Sequence, residues 1–217
     1  MRKHLASITT AAALSLAVCA APARAQNFLN GSAETIWSGN VRLTGAPAHM
    51  FGRDGAPDNT GGAFRLGYGI SDNFDIEAKS AFFDGVTLLG GDGHLRFYDR
   101  RNTSATLSIG GHQALVSHGL DSTALDLGGA LSRRLSDRLE VYGGALFSWE
   151  RLNDVPEGSD GDFTRFHLVP GIKVGVAERL DLLVEGGVGL NDNSPHFLAA
   201  GLALHVPVSD SAATRRR

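Results

Sequence analysis

The sequence contains one cysteine, Cys19, and that residue lies in the apolar N-terminal stretch. A chain that loses this stretch can form no disulfide, no thiol nucleophile and no Cys-ligated metal site. Cys19 could instead be the lipid-bearing cysteine of a lipoprotein, but Val18 is larger than the small residue such processing requires. Beyond residues 1–25 no apolar run approaches the roughly 18 residues of a membrane-spanning helix. If the protein crosses a membrane, it must do so with strands.

The chain also lacks an excess of basic residues, since 20 Lys and Arg stand against 23 Asp and Glu. A nucleic-acid-binding protein of this size normally has a net basic surface or an Arg/Lys stripe with interleaved aromatics. The only basic run is Arg215-Arg216-Arg217, which is more simply a solvated terminus. We therefore expect no nucleic-acid partner.

Residues 1–25 have the pattern of a secretory signal peptide. A basic start at Arg2-Lys3 precedes an apolar stretch rich in Ala and Leu, and Ala23-Arg24-Ala25 fits the small-x-small cleavage site. Cleavage before Gln26 removes three cations and leaves a mature chain with a formal charge of about −6. We expect an exported protein, with a short segment at 26–33, one domain at 34–208 and a tail at 209–217.

A turn motif occurs three times, and each copy joins two stretches in which apolar residues alternate with charged or small ones. Asp, Asn and Ser accept local backbone hydrogen bonds and tolerate tight-turn dihedrals. The flanking period of two is typical of a half-buried strand. The motif therefore predicts hairpins that recur along the chain. The copies are Ile70 to Ile76, Leu135 to Val141 and Val176 to Leu182.

The alternation predicts ten strands, or eight or twelve if the turn at Asp84-Gly85 or the first strand is misread. Most are about ten to fourteen residues long, whereas about 9 to 11 residues suffice for a tilted strand to cross the hydrocarbon layer of a membrane. The predicted strands are Glu34 to Ala46, Gly61 to Ile70, Phe74 to Phe83, Val86 to Tyr98, Ser104 to Val116, Ser122 to Arg133, Arg138 to Leu152, Phe163 to Val176, Leu180 to Asn191 and His196 to Val208.

The two longest connections between these strands fall on the same side. From a periplasmic N-terminus, Pro47 to Thr60 and Asn153 to Asp162 lie outside, together with the short turn at Asp84-Gly85. The inner turns are Ser71 to Asn73, Asp99 to Thr103, Leu135 to Asp137 and Ala177 to Arg179. Outer-membrane barrels place short turns in the periplasm and long loops outside. An even strand count also returns both termini to the periplasm.

One face of the strands is nearly free of charge, but alternation alone does not separate a lipid face from the core of a soluble sandwich. Glycine pairs in mid-strand, such as Gly110-Gly111 and Gly143-Gly144, permit tight curvature and leave space inside a barrel. Aromatic residues near predicted strand ends, among them Trp37, Tyr68 and Trp149, fit the girdles at a membrane interface. These features favour a membrane barrel, and a soluble periplasmic barrel or sandwich is the alternative.

On these features the chain resembles small bacterial outer-membrane β-barrel proteins of the OmpA-like transmembrane class. The resemblance covers Glu34 to Val208 and implies an all-β, antiparallel up-and-down transmembrane β-barrel located in the outer membrane. It implies a monomer whose partners are outer-membrane lipids, lipopolysaccharide and the barrel assembly machinery. Members usually end on a strand with a terminal aromatic residue, whereas here Val208 is followed by Ser209 to Arg217.

The predicted inward face carries most of the charge. A barrel of this size has little interior space, so these side chains are expected to form a packed network that plugs it. A narrow pore that opens when the pairs rearrange is the alternative. The residues are Arg65, Asp75, Glu77, Lys79, Asp92, His94, Arg96, His112, Asp126, Glu140, Glu150, Arg165, His167, Lys173, Asp181, Glu185 and His205.

Catalytic signals are weak. Ser117, His118 and Asp121 in a predicted outer loop are candidates for a nucleophile, a base and an orienting acid of an enzyme acting on lipid A or peptides. Three such residues within one polar loop more often reflect loop composition, so we expect no catalytic activity. Histidines are scattered over several strands without ligand spacing, and we expect no metal and no cofactor. The predicted outer loop from Asp154 to Asp162 is acidic and could bind divalent cations that bridge lipopolysaccharide.

Overall fold

The structure is a computed structural model that describes residues 31–53, 56–155 and 161–208. The predicted signal peptide at 1–25 and the predicted tail at 209–217 lie outside the described residues. The ten strands confirm the predicted count. They are β1 Asn40–Phe51, β2 Asn59–Ser71, β3 Phe74–Phe83, β4 Val86–Arg100, β5 Thr103–Val116, β6 Ser122–Ser136, β7 Leu139–Leu152, β8 Asp162–Ala177, β9 Leu180–Gly189 and β10 His196–Pro207.

The strands form one closed antiparallel barrel. Each strand pairs with its neighbours in the sequence, and β1 pairs with β10 to close the ring. Closure satisfies the backbone groups that an open sheet would leave unpaired at its edges. The predicted all-β, up-and-down architecture is confirmed. None of the described residues belongs to a helix long and apolar enough to span a membrane.

The three copies of the turn motif adopt the same local structure. Each forms a hairpin with two residues between its strands, and each has a shift of strand register immediately before the turn. Such a bulge bends the strand and increases its twist. The turn residues are Asp72-Asn73, Asp137-Arg138 and Glu178-Arg179, and the shifts lie at Gly69/Ser71, Arg134/Ser136 and Gly175/Ala177.

The two ends of the barrel differ in their connections. The three motif turns and the turn at Arg101-Asn102 lie at the end where the barrel begins and finishes, which we call the turn end. Arg101 and Asn102 have φ angles of 47° and 68°, as the inner positions of a type I′ turn require. At the same end the amide of Val208 donates to the carbonyl of Gly39 at 3.0 Å. The opposite end, the loop end, carries the longer connections and one short turn at Asp84-Gly85.

The first strand differs from its prediction. It begins at Asn40 rather than Glu34 and ends at Phe51 rather than Ala46. Pro47 suggested a loop, yet it lies within β1 with its side chain exposed. The ladder between β1 and β10 is interrupted at this point, as expected where a residue has no amide hydrogen to donate.

The two faces of the barrel have opposite character. Outward-facing Leu66, Leu107 and Ile109 are 52%, 56% and 60% exposed, whereas inward-facing Glu77 and Lys79 are 4% and 6% exposed. A soluble sandwich would bury the apolar side chains and expose the charged ones. The barrel therefore presents a continuous apolar outer surface and a charged interior, as a hydrocarbon environment requires.

Candidate functional site in the barrel interior

A continuous row of ion pairs crosses the interior of the barrel. We call it the ion-pair row. Its members come from the eight strands β1 to β8, and most are almost fully buried. In order along the row they are Arg42, Glu77, Arg65, Asp92, Lys79, Asp126, His112, Glu150 and Arg165.

Taken strand by strand, the row draws on all eight strands from β1 to β8: one residue each from β1, β2, β4, β5, β6, β7 and β8, and two from β3. Eight of the ten strands are thus tied together across the interior.

The first half of the row lies nearer the turn end. The Arg42 Nη2 atom is 2.7 Å from Glu77 Oε1, and Glu77 Oε2 is 2.9 Å from Arg65 Nε. The second guanidinium arm of Arg65 reaches Asp92 Oδ2 at 2.7 Å. Each carboxylate here is shared between two cations, so each buried charge is compensated on both sides.

The second half of the row continues from Asp92 across the barrel. The Lys79 Nζ atom lies 2.7 Å from both Asp92 Oδ1 and Asp126 Oδ2. Asp126 also contacts the His112 ring at 2.8 Å, and the far side of that ring is 3.8 Å from Glu150. Glu150 Oε1 pairs with Arg165 Nε at 3.1 Å. Apart from His112, the row contains four carboxylates and four Lys or Arg cations.

Strand register explains why this arrangement is specific. Arg65 lies directly opposite Lys79, and Glu77 lies directly opposite Asp92, so the direct cross-strand pairs have like charges. Like charges in that position repel. The attractive contacts are diagonal, and they form only while β2, β3 and β4 keep this register. The row therefore stabilises one alignment of these strands.

Inward-facing glycines provide the space that these charges occupy. A Cβ atom on Gly110 would lie 2.1 Å from Asp92 Oδ1, and one on Gly90 would lie 2.8 Å from the Lys79 Cε atom. A side chain at either position would displace a member of the row. At these positions the mid-strand glycines make room for the ion pairs.

Residues 31–39 fold into the turn end of the barrel, and we call this segment the strap. The Gly31 amide donates to Glu185 Oε1 at 2.7 Å, and the Ile36 amide donates to Asp75 Oδ2 at 2.5 Å. The side chain of Ile36 is 1% exposed. Trp37, expected near a strand end on the outer face, lies in the strap instead. The strap replaces the predicted start of the first strand.

Glu34 is the charged anchor of the strap. Its carboxylate pairs with Lys173 on β8 and with Arg134 on β6. Burial by itself would raise the pKa of Glu34, but the charges and hydrogen bonds of Lys173 and Arg134 lower it to about 2. Glu34 is therefore ionised at neutral pH, and the strap is held by two opposite charges.

Gly69 on β2 lies in close contact with the backbone of the strap, and we expect Gly69→Ala to displace the strap. A Cβ atom there would lie 2.1 Å from the carbonyl oxygen of Trp37 and 2.5 Å from that of Ile36. Overpacking of this kind costs about 1–3 kcal/mol of unfolding free energy. The measurement is Trp37 fluorescence and urea unfolding in a Trp149→Phe background, which leaves one tryptophan.

Gly143→Ala is the matched control for this substitution. Gly143 lies on the outer face of β7, and a Cβ atom there meets nothing within 4 Å. We expect its fluorescence and stability to match the parent. Equal losses of unfolding free energy from the two substitutions would show that the strap does not pack against Gly69.

The loop end of the interior is closed by apolar side chains, which we call the apolar cap. These side chains pack against one another. The cap consists of Ala46, Ala48, Met50, Ala63, Ala81, Phe83, Leu88, Ala114, Val169, Phe197 and Ala199.

Two small cavities lie between the strap and the ion-pair row. Their volumes of about 50 and 20 Å³ leave room for a few water molecules.

The other predicted interior residues lie outside the row and have separate partners. Arg96 is at the rim of the turn end, and His167 is near the loop end; the remainder surround the strap. The contacts are Asp75 with His94 at 2.6 Å, Lys173 with Glu140 at 3.0 Å, Asp181 with His205 at 2.9 Å, Glu185 with the Tyr142 hydroxyl at 2.8 Å, His167 with the Pro195 carbonyl at 3.1 Å and Arg96 with Asp99 at 3.2 Å.

Two charged residues of the interior were missed by sequence reasoning. Arg42 begins the ion-pair row, and Glu34 anchors the strap. The position of Arg42 between outward-facing Val41 and Leu43 was a signal that could have placed it inside. The role of Glu34 had no such signal, because it depends on a chain reversal at the turn end.

The weak catalytic candidates lie in the connection between β5 and β6. Ser117 and His118 are exposed. The Asp121 carboxylate accepts a hydrogen bond from the Val116 amide at 2.8 Å, which fixes the connection. Within the described residues, no hydrogen bond joins the side chains of Ser117, His118 and Asp121. The arrangement is that of a structured loop.

The predicted acidic loop is described only in part. Asp162 pairs with Arg151 at 2.8 Å on neighbouring strands. Glu157 and Asp160 lie outside the described residues. Among the residues that the structure does describe, no group of three His, Cys, Asp or Glu side chains is arranged to hold a metal ion.

Comparison with solved structures finds barrels of the outer membrane. An outer-membrane channel from Pseudomonas putida F1 matches with a TM-score of 0.53 and 9% identity, over 83% of this chain and 100% of that one. The N-terminal β-barrel domain of OprF from Pseudomonas aeruginosa matches with a TM-score of 0.36 and 14% identity, over 78% and 98%. At these identities the likeness concerns the fold alone. No curated protein matches the sequence.

Comparison with protein families gives a match over most of the chain. The model of the outer membrane protein beta-barrel domain matches residues 10–193. The match includes β1 to β9 and agrees with the closed barrel and its apolar outer face. The chain belongs to the outer-membrane protein β-barrel domain family.

Proposed function

We propose that this protein is an integral outer-membrane barrel with a closed interior, without catalytic activity, that serves a structural or surface role in the envelope. The observation that carries the proposal is the ion-pair row, whose balanced charges fill the interior between the strap and the apolar cap. Its partners in this role are outer-membrane lipids and lipopolysaccharide, and it acts as a monomer.

The outer face supports the membrane placement. Half-exposed aliphatic side chains cover it, and Tyr68 and Trp149 add aromatic rings at 42% and 44% exposure. Such residues suit the hydrocarbon layer and its interfaces. The short connections of the turn end correspond to the periplasmic side, which leaves the longer connections of the loop end on the cell surface.

The interior supports a closed state. A path for hydrated solutes would have to separate buried ion pairs such as Lys79 with Asp126, and would leave each charge without a partner in a region of low polarity. It would also have to part the apolar cap around Phe83 and Phe197. The two cavities between the strap and the ion-pair row, of about 50 and 20 Å³, are too small for such a path, and the larger cavity of about 630 Å³ beside Glu34 and Trp37 is lined by residues of the turn end. Slow passage of small solutes would require both barriers to move.

The test is conductance in planar lipid bilayers. Purified protein with a heat-modifiable gel band is inserted beside a known porin, which establishes that channels are detected. We expect no conductance steps from the protein. Reproducible steps of fixed size would contradict a closed interior and would favour the narrow-pore alternative.

A second assay addresses catalysis. The folded protein is incubated with lipid A and with a peptide mixture, and products are followed by mass spectrometry. We expect none. Turnover that is lost in His118→Ala while the folded gel band is retained would contradict the non-catalytic proposal.

A further inference from the structure

The outer face at the turn end changes from apolar to cationic over three rows of side chains on β4, β5 and β6. Strand pairing aligns Leu95 with Leu107 in the first row, and Tyr98 with Ala105 and Leu131 in the second. The third row places Arg100 and Arg133 on either side of Thr103. At the last row β4 ends and β5 begins, whereas β6 continues to Ser136.

The third row is an unneutralised pair of cations. Arg100 and Arg133 are exposed, and neither forms an ion pair with another described residue. Arg101 in the adjoining turn adds a third exposed cation. The nearby acid Asp99 is already paired with Arg96 at 3.2 Å. Two strand spacings of about 4.8 Å separate the Arg100 and Arg133 backbones, which allows both side chains to reach one phosphate group.

The shape between the two arginines suits a lipid rather than a free anion. The side chains of Thr103 and Ala105 are small, and they leave a shallow strip between Tyr98 and Leu131, which are 43% and 57% exposed. This strip leads directly from the cations to the apolar band. A molecule with an anionic head and an acyl tail matches both parts.

We infer that Arg100 and Arg133, with Arg101 beside them, bind the headgroup phosphate of an anionic glycerophospholipid in the periplasmic leaflet. The acyl chain lies along Ala105 and Leu107. Guanidinium groups bind phosphate oxygens through paired hydrogen bonds, and the excess of cations favours a lipid with net negative charge over a zwitterionic one. The inference rests on the membrane placement proposed above.

The experiment is native mass spectrometry of the detergent-solubilised protein titrated with phosphatidylglycerol or phosphatidylcholine of the same chain length. We expect the wild type to retain phosphatidylglycerol preferentially. Arg100→Gln and Arg133→Gln should each lower that preference about fivefold, as expected for one cation at an anionic membrane surface. Arg133→Lys should restore part of it, because the charge returns without the planar donor pair.

Arg151→Gln is the matched control, since Arg151 is an exposed arginine at the loop end. It should leave the lipid preference unchanged. Equal retention of the two lipids by the wild type, or an equal loss in Arg151→Gln, would overturn the inference. The heat-modifiable gel band is measured on each sample: its absence in the wild type would refute the membrane barrel itself, whereas its presence without lipid preference refutes the lipid site alone.

Discussion

Replacing Lys79 with Met is expected to lower the free energy of unfolding by about 3–5 kcal/mol, the usual cost of removing one partner from a buried ion pair. Lys79 is the centre of the ion-pair row, where its ammonium lies 2.7 Å from both Asp92 and Asp126. The substitution keeps a long side chain but leaves two acids facing each other without the cation between them. The measurement is urea unfolding of the protein in lipid vesicles.

Arg151→Gln provides the comparison for an ion pair outside the interior. Arg151 and Asp162 are 2.8 Å apart, but their side chains are 66% and 34% exposed. Exposed pairs contribute about 0–1 kcal/mol. If Lys79→Met and Arg151→Gln have equally small effects, the ion-pair row does not stabilise the barrel.

Leu127→Arg is expected to destabilise the inserted barrel by about 2–4 kcal/mol, the cost of an arginine on the lipid face near the bilayer midplane. Leu127 lies near the middle of β6, faces outward and is 42% exposed. It is flanked by outward-facing Ile109 and Phe147 on the adjacent strands. In water, an arginine at so exposed a position would have little effect. The measurement is the free energy of unfolding of Leu127→Arg and of the parent protein in lipid vesicles.

Leu131→Arg is the matched control, on the same strand and the same face. Leu131 is 57% exposed and lies next to the cationic row that begins at Arg133. There the cost should fall to about 0–1 kcal/mol, as near a membrane interface. Equal costs at Leu127 and Leu131 would show that the outer face does not cross a hydrocarbon layer.

Much of the fold follows from local patterns in the sequence. The period of two defines a strand and its faces, and turn residues such as Asp72-Asn73 mark where a strand reverses. Phe74–Phe83 was predicted with the bounds that the structure has. The three motif turns also share a bulge that the sequence did not reveal, because a bulge depends on pairing with the partner strand.

The errors at the first strand have a non-local cause. Glu34 to Gly39 were predicted as the start of the first strand, but their contacts are with Asp75, Arg134 and Lys173 on distant strands. Pro47 indicated a loop, yet the closure of β1 on β10 holds it within a strand. Neither outcome can be predicted from neighbouring residues alone.

The side chains of the interior could likewise be predicted only in part from the sequence. Alternation identifies which side chains point inward, and it places Arg65, Glu77 and Lys79 there. It does not identify their partners, because diagonal contacts depend on the register between strands and on the closure of the barrel. The distinction between a charged row and an apolar cap at one end likewise appears only once the strands are aligned.

The most direct test of a membrane-inserted barrel is the gel mobility of the detergent-extracted outer-membrane fraction, compared before and after boiling. A closed ten-stranded barrel should remain folded in the unboiled sample, run as a compact band and shift when heated. Recovery of the protein in the soluble periplasmic fraction, with no shift on boiling, would contradict the account.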